Sequence, residues 1–183
     1  MPHKPTPAEL RAATDKLIPD VLAPNLRVVF CGINPGLYSG AVGQHFARPG
    51  NRFWPTLHAS GFTPRQYKPA QQFDLLSLGL GLTNIAPRTT ARADELSAAE
   101  LIEGAKSLEN KVKHYQPKVL AVLGISAYRV AWNFPKATLG LQVERLHDTH
   151  VWVLPNPSGL NAHYTPAKLA AQFRQLREFV YAR

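Results

Sequence analysis

The sequence predicts an α/β fold in which a mostly parallel sheet carries helices on both faces, within a single domain. Short apolar runs alternate with amphipathic helical patterns along the chain, as a covered parallel sheet requires. Two of these runs end in loops rich in Gly, Pro and Asn, where open α/β sheets place their ligands. The chain has 183 residues without an internal repeat or a low-complexity linker, which suits one compact domain.

Three continuous apolar runs predict buried strands, because parallel strands covered on both faces lack polar alternation. They are residues 27–33, 118–123 and 151–154. Helices are predicted over residues 7–17, from near residue 51 through 57, over 98–115 and 125–132, and from 166 onward. Capping boxes beginning at Thr6 and Ser97 mark two helix starts, and Pro117 ends the third helix.

Charge and cysteine content narrow the function classes. Lys and Arg number 21 against 12 Asp and Glu, so the net charge is +9, which favours a polyanionic partner over a merely basic surface. Cys31 is the only cysteine, which excludes an intramolecular disulfide and a thiolate metal cluster. We expect no membrane partner and a cytoplasmic location, because the sequence shows no signal peptide and no long apolar run.

Two loops are expected to open on the same edge of the sheet, residues 32–39 and 155–164. In the first, Asn34 precedes Pro35, so its backbone is extended and its amide projects from the strand end. Gly36 permits a tight turn with exposed backbone N–H groups. The alternative is an ordinary Asn-Pro-Gly turn.

Aromatic and apolar side chains near these loops suggest contact with nucleic-acid bases. Phe46 is placed to stack on a base, whereas Phe53 and its neighbour Trp54 are expected in the core. Arg48 and Arg52 either meet phosphates or are solvated. Leu160 stands alone in a small polar loop, either as a wedge that enters a base stack or as an anchor folded back onto the protein.

Three motifs together resemble the signature of the mismatch-specific uracil- and thymine-DNA glycosylases. They are Gly32-Ile33-Asn34-Pro35-Gly36, Asn51-Arg52-Phe53-Trp54 and Asn156-Pro157-Ser158-Gly159-Leu160. Their order and spacing match, from about Pro24 to the end of the chain. Thr83-Asn84-Ile85 and Arg88-Thr89-Thr90 also resemble the thymine-specific branch.

The resemblance implies a three-layer α/β/α sandwich, no metal or organic cofactor, and uracil-containing double-stranded DNA as partner. It implies that Asn34 positions the attacking water and that Phe46 stacks on the flipped base. The loop that fills the vacated space and touches the opposite guanine is implied to comprise Pro157, Ser158, Gly159, Leu160 and Asn161. The further residues expected around the base are Ile33, Gly36, Tyr38, Ser39, His45 and Asn156.

Two positions differ from the family pattern. Many relatives carry an arginine just after the wedge, whereas this chain has neutral Ala162 there. This difference is expected to affect the stability of the inserted wedge and the recognition of the opposite guanine. Tyr38 is bulky where small residues are usual, which predicts altered base selectivity.

Asp94 is a second catalytic candidate. An amide such as that of Asn34 cannot remove a proton at neutral pH, so a carboxylate near the sugar is a candidate to activate water or stabilise the cation. The alternative is a solvated residue ahead of the helix cap at Ser97.

The sequence therefore predicts a monofunctional glycosylase that flips uracil, opposite guanine, and hydrolyses its bond to deoxyribose. We expect a monomer associated with the nucleoid, with residues 1–21 as an N-terminal helical extension and residues 22–183 as the glycosylase domain. The competing readings are a non-catalytic nucleic-acid binding module and a small-molecule nucleotide hydrolase. No lysine stands in the three motif loops, so a lyase step is not expected.

Overall fold

A five-stranded sheet forms the centre of the structure, a computed structural model that describes residues 1–182. The strands are β1 (Val28–Gly32), β2 (Leu80–Asn84), β3 (Val119–Leu123), β4 (Gly140–Leu146) and β5 (Thr149–Leu154). Their spatial order is β2-β1-β3-β5-β4, and β4 alone is antiparallel to its neighbour. From β1 the chain goes to one side for β2 and to the other for β3, so the ligand crevice of such a sheet is expected between β1 and β3.

Helices cover both faces of this sheet. They are α1 (Pro7–Ala12), α2 (Leu37–Val42), α3 (Phe53–Ala59), α4 (Ala98–Tyr115), α5 (Ile125–Ala131) and α6 (Pro166–Tyr181), with 3₁₀ segments at Pro69–Leu78 and Ala93–Glu95. Alternate residues of β1 point to opposite faces: Phe30 packs with α3 and α6, and Val29 packs with α4 and α5. The chain is thus a single three-layer α/β unit, which confirms the predicted fold class.

Two strands were absent from the sequence prediction, and each has a physical reason to be missed. Strand β2 contains Gly81, which weakens a strand pattern, and a Cβ there would lie 2.6 Å from the backbone oxygen of Val21. Strand β4 lies at the sheet edge and is largely exposed, so it lacks a continuous apolar run.

The first helix is shorter than predicted. It keeps the capping box at Thr6 but ends at Ala12 rather than Leu17. Asp15 adopts a left-handed backbone with φ of 64°, which stops helical hydrogen bonding, and its backbone N–H donates instead to the carbonyl oxygen of Thr89 at 2.9 Å.

The segment of residues 1–21 packs onto the edge of the sheet. Val21 is fully buried and forms an antiparallel bridge with Leu82 of β2. The hydroxyl of Thr89 donates to the carbonyl oxygen of Lys16 at 2.7 Å. Through residues 1–182, no helix combines the length and apolar character needed to cross a membrane.

Candidate active site

A cavity of about 400 Å³ opens at the carboxyl ends of β1, β2, β3 and β5. Its walls include ten residues of the predicted site: Ile33, Asn34, Gly36, Ser39, His45, Phe46, Asp94, Asn156, Ser158 and Leu160. Both predicted loops therefore meet at one edge of the sheet, because the strands that precede them are parallel.

The side-chain amide of Asn34 has a fixed orientation. Its Nδ2 donates to the carbonyl oxygen of Arg88 and to Oγ1 of Thr90, each at 2.8 Å. A carbonyl only accepts, so Nδ2 and not Oδ1 must face Arg88. The Thr90 hydroxyl in turn donates to the carbonyl oxygen of Arg92 at 2.7 Å. The Oδ1 atom of Asn34 is left as an acceptor that can orient a water molecule in the cavity.

Phe46 is held against the cavity in a strained backbone conformation. Its φ of 52° lies in the left-handed region, which costs a non-glycine residue about 1–2 kcal/mol. Neighbouring contacts maintain that conformation: the ring stacks on Phe53 with centroids 4.2 Å apart, and the Ser39 hydroxyl accepts from the backbone N–H of Ala47 at 3.1 Å. A fixed aromatic ring in the cavity wall can stack on a planar ligand such as a nucleobase.

His45 and Asn84 form a second polar wall. His45 is 1% exposed, and its Nε2 lies 2.8 Å from the carbonyl oxygen of Pro19, so Nε2 carries the proton and Nδ1 is an acceptor. Burial lowers the pKa of His45 below its usual 6.5 and keeps the ring neutral.

The orientation of His45 determines that of Asn84. Nδ2 of Asn84 lies 3.5 Å from the unprotonated Nδ1 of His45. Its Oδ1 faces Gly32, where an added Cβ would be only 2.5 Å away, so a larger residue at the end of β1 would displace the Asn84 amide. Asn84 therefore offers an amide oxygen at the cavity wall, which suits an N–H group of a bound base.

Leu160 lies at the tip of a loop held by its own polar side chains, residues 156–164, which we call the wedge loop. Leu160 is 78% exposed, so it is not an anchor folded back onto the protein. Oδ1 of Asn156 accepts from the backbone N–H of Ser158 at 2.9 Å, and Oγ of Ser158 accepts from that of Leu160 at 3.2 Å. The loop thus presents an apolar side chain beside the cavity.

The sequence analysis expected Arg52 either to meet a phosphate or to be solvated, and the structure shows neither. Its guanidinium donates to three backbone carbonyl oxygens of the wedge loop, at Ser158 (2.8 Å), Asn161 (3.0 Å) and Tyr164. Arg48, in contrast, lines the cavity.

Asp94 lines the cavity in the 3₁₀ segment Ala93–Glu95. Its side chain is 74% exposed and pairs with Nε of Arg92 at 3.1 Å, and Arg92 also lines the cavity. Among the cavity-lining residues Asp94 is the only carboxylate. An exposed and paired carboxylate interacts with charges in the cavity through a high dielectric, so its effect is weakened.

Four predicted residues lie outside the cavity wall, namely Tyr38, Pro157, Gly159 and Asn161. Tyr38 is partly buried on α2 and is not among the lining residues, whereas the next residue, Ser39, is. Tyr38 therefore does not form part of the cavity wall itself, and its expected effect on base selectivity stays a prediction. The other three belong to the wedge loop, beside the cavity.

Lining residues that the sequence analysis did not assign to the site include Ile18, Asn51, Asn84, Thr90 and Arg92. Asn84 and Thr90 lie in motifs that the family resemblance already includes, and that resemblance was the available signal for them. Ile18 carries no such signal, because its place in the wall depends on how residues 1–21 pack.

A sequence model of the Uracil DNA glycosylase superfamily matches residues 19–179, which is most of the chain. A solution NMR structure of a candidate uracil DNA glycosylase from Methanosarcina acetivorans superposes with a TM-score of 0.59. The two sequences are 20% identical, and the match covers 89% of this chain and 98% of that chain. The structural likeness shows a shared fold, and the sequence match shows the family. On this evidence the chain belongs to the uracil DNA glycosylase superfamily.

Proposed function

We propose that this protein removes uracil, preferentially opposite guanine, from duplex DNA by hydrolysing the bond between the base and deoxyribose. Superfamily membership supports the DNA glycosylase activity. The observation that carries the proposal is a cavity that combines the fixed ring of Phe46 with the available Oδ1 of Asn34. Its volume of about 400 Å³ is in the range of pockets that enclose small ligands.

Base flipping precedes the chemistry, because the target bond lies inside the duplex. The exposed side chain of Leu160 is proposed to enter the space that the uracil leaves, which offsets part of the cost of unstacking. The flipped base then stacks on Phe46.

Hydrolysis is proposed to proceed through a sugar with oxocarbenium character. The bond between C1′ and N1 of uracil breaks, and its electron pair leaves on the base as an anion. Backbone N–H groups around Ile33 and Gly36 are proposed to stabilise that anion. A water molecule that hydrogen-bonds to Oδ1 of Asn34 adds its oxygen to C1′, and its proton passes to solvent.

A lyase step is not part of the proposal, since it needs an amine nucleophile. No lysine lines the cavity among residues 1–182. The expected products are free uracil and an intact abasic site.

The alternative of a non-catalytic binding module is less well supported. Such a module needs a basic groove and stacking aromatics but no enclosed base pocket. A small-molecule nucleotide hydrolase would have no use for an exposed Leu160 beside the pocket.

The test is a panel of duplexes that each carry one uracil, thymine or ethenocytosine opposite guanine, or uracil opposite adenine, scored for strand breakage after alkali. We expect breakage to be fastest for uracil opposite guanine. A duplex of normal pairs is the substrate control. Absence of breakage at uracil in every pairing would refute the proposal.

A further inference from the structure

Arg52 connects the wedge loop to the protein core. Arg52 directly precedes α3, whose first residues Phe53 and Trp54 are buried in the core. The backbone N–H of Arg52 donates to the carbonyl oxygen of Pro157 at 3.0 Å. Its guanidinium bonds to the carbonyl oxygens of Ser158, Asn161 and Tyr164. One residue therefore binds the loop at four successive points along its length.

The close approach of these two segments has an independent sign at Gly159. A Cβ added there would lie 2.7 Å from the carbonyl oxygen of Gly50, so only glycine allows this approach. Gly50 lies two residues before Arg52 in the chain, so this contact and the guanidinium bonds join the same two segments.

Within the described residues 1–182, the guanidinium of Arg52 has no carboxylate partner. Hydrogen bonds from a charged donor are roughly twice as strong as neutral ones, and a planar guanidinium can reach several carbonyls at once. Three main-chain acceptors on one guanidinium are an arrangement suited to holding a loop in a single conformation.

We propose that Arg52 is a positioning residue for base flipping: by holding the wedge loop through its carbonyls, it keeps Leu160 extended toward the DNA. The inference rests on the proposed function, because the position of Leu160 matters for catalysis only if a base leaves a duplex. Entry of Leu160 into a base stack meets resistance from the stacked bases. A loop that yields under this resistance cannot keep the uracil out of the helix.

The experiment compares the wild-type protein with Arg52→Met and Arg52→Lys. The matched control is Arg129→Met, because Arg129 also donates twice to one backbone carbonyl, that of Ala137 at 2.7 and 2.9 Å, but lies on α5 outside the cavity. Single-turnover excision of uracil is measured on a duplex and on a single strand of the same sequence. Only the duplex requires a wedge.

We expect Arg52→Met to lose roughly tenfold to hundredfold in rate on the duplex, as for loss of one or two charged hydrogen bonds. The rate on the single strand should change by less than about twofold, because that substrate needs no filled gap. The duplex rate of Arg52→Lys should lie between those of the wild type and Arg52→Met, since an ammonium group cannot span three carbonyls. Arg129→Met should change the excision rates on the duplex and on the single strand by the same factor.

Two further measurements separate positioning from general destabilisation. In a Leu160→Ala background, Arg52→Met should cause no additional loss on the duplex, because both residues act through one element. Hydrogen exchange of the backbone amides of residues 158–163 should be faster in Arg52→Met and unchanged in Arg129→Met.

Equal losses of Arg52→Met on duplex and single strand, or unchanged exchange in the wedge loop, would overturn this inference. If Arg52→Met does not fold, Arg52→Lys provides the same comparison. If the wild-type protein excises uracil from neither substrate, the proposed function fails, while the exchange measurement still tests whether Arg52 holds the loop.

Discussion

At the scale of single residues, the site depends on polar side chains that backbone carbonyl oxygens orient. A carbonyl can only accept, so the atom that faces it must be a donor. This rule fixes Nδ2 of Asn34 against Arg88 and protonated Nε2 of His45 against Pro19. The opposite atom of each side chain is then an acceptor: Oδ1 for Asn34 and Nδ1 for His45, which lies 3.5 Å from Nδ2 of Asn84.

Asn34→Ala should retain the fold and DNA binding while excision of uracil falls by about 10²-fold or more, because the water loses its orienting acceptor. The measurement is single-turnover excision, with thermal unfolding as the check on the fold. Asn110→Ala, at an exposed position of α4, is the matched control and should behave as the wild type. A folded Asn34→Ala variant with full activity would remove Asn34 from the mechanism.

Asp94→Asn should lower single-turnover excision by only about two- to fivefold, since an exposed carboxylate acts on the sugar cation through a high dielectric. A carboxylate that acted directly on the water or the sugar would instead cause a loss comparable to that of Asn34→Ala. The exposure of Asp94 and its pairing with Arg92 reduce that expectation. A loss near 10²-fold, together with loss of a carboxylate limb in the pH–rate profile, would instead identify Asp94 as a general base.

At the scale of elements, the wedge loop and the loop after β1 have different construction. The loop after β1 continues a buried strand, and the N–H of Ala86 donates to the carbonyl oxygen of Ile33 at 2.9 Å, which keeps the loop beside the residues that follow β2. The wedge loop is held by side chains, Asn156, Ser158 and Asn161 within it and Arg52 from outside. A loop of this kind can carry an exposed leucine because these hydrogen bonds hold the backbone beneath it.

Leu160→Ala should reduce excision from duplexes more than from single strands, because only the duplex leaves a gap to fill. The measurement is the ratio of single-turnover rates on the two substrates. Val143→Ala is a suitable control, because Val143 is exposed on edge strand β4 and is not part of the cavity wall. Equal losses on both substrates would show that Leu160 stabilises the protein rather than the opened duplex.

At the scale of the whole molecule, the net charge of +9 should govern how the protein meets DNA. Each phosphate contact releases condensed counterions, so the logarithm of the binding constant should fall linearly with the logarithm of salt concentration. The measurement is the affinity for an undamaged duplex at several salt concentrations. An affinity that stays flat from low to physiological salt would contradict a basic DNA-binding face.

The pH dependence of stability should reflect His45, which joins the loop after α2 to residue Pro19. Burial lowers the pKa of His45 in the folded state, so below about pH 6.5 the unfolded state binds more protons. The contribution of His45 to the free energy of unfolding should therefore be complete above this pH and decrease as the pH falls. Burial and Arg145 lower the pKa of His150 as well, so protonation of His150 also decreases the free energy of unfolding at low pH.

Denaturant unfolding at pH 7 and pH 5 would measure this dependence. His45→Gln should reduce the difference in unfolding free energy between the two pH values, and His150→Gln serves as the comparison. A pH dependence unchanged in His45→Gln would mean that His45 is not the group responsible.

Much of the fold could be predicted from local pattern, because burial on both faces removes polar residues from strands β1, β3 and β5. The start of α4 could be predicted because its capping box joins neighbouring residues, Ser97 and Glu100. Strand β4 could not be predicted in this way, since an edge strand that is largely exposed has no continuous apolar run. The short first helix could not either, because a contact with distant Thr89 ends it.

The sequence by itself determined the α/β fold and the two loops at one sheet edge, because alternating apolar runs and helical patterns are local features of the chain. The family resemblance of its motifs singled out Asn34, Phe46 and Leu160 as the central candidates. Only the tertiary structure decided what orients them. Asn34 meets Arg88 across 54 positions, and Arg52 meets Tyr164 across 112. Both acceptors are backbone carbonyls, which every residue type carries. No residue pattern can mark such a partner, so the contacts of Arg52 with the wedge loop exist only once folding brings the two segments together.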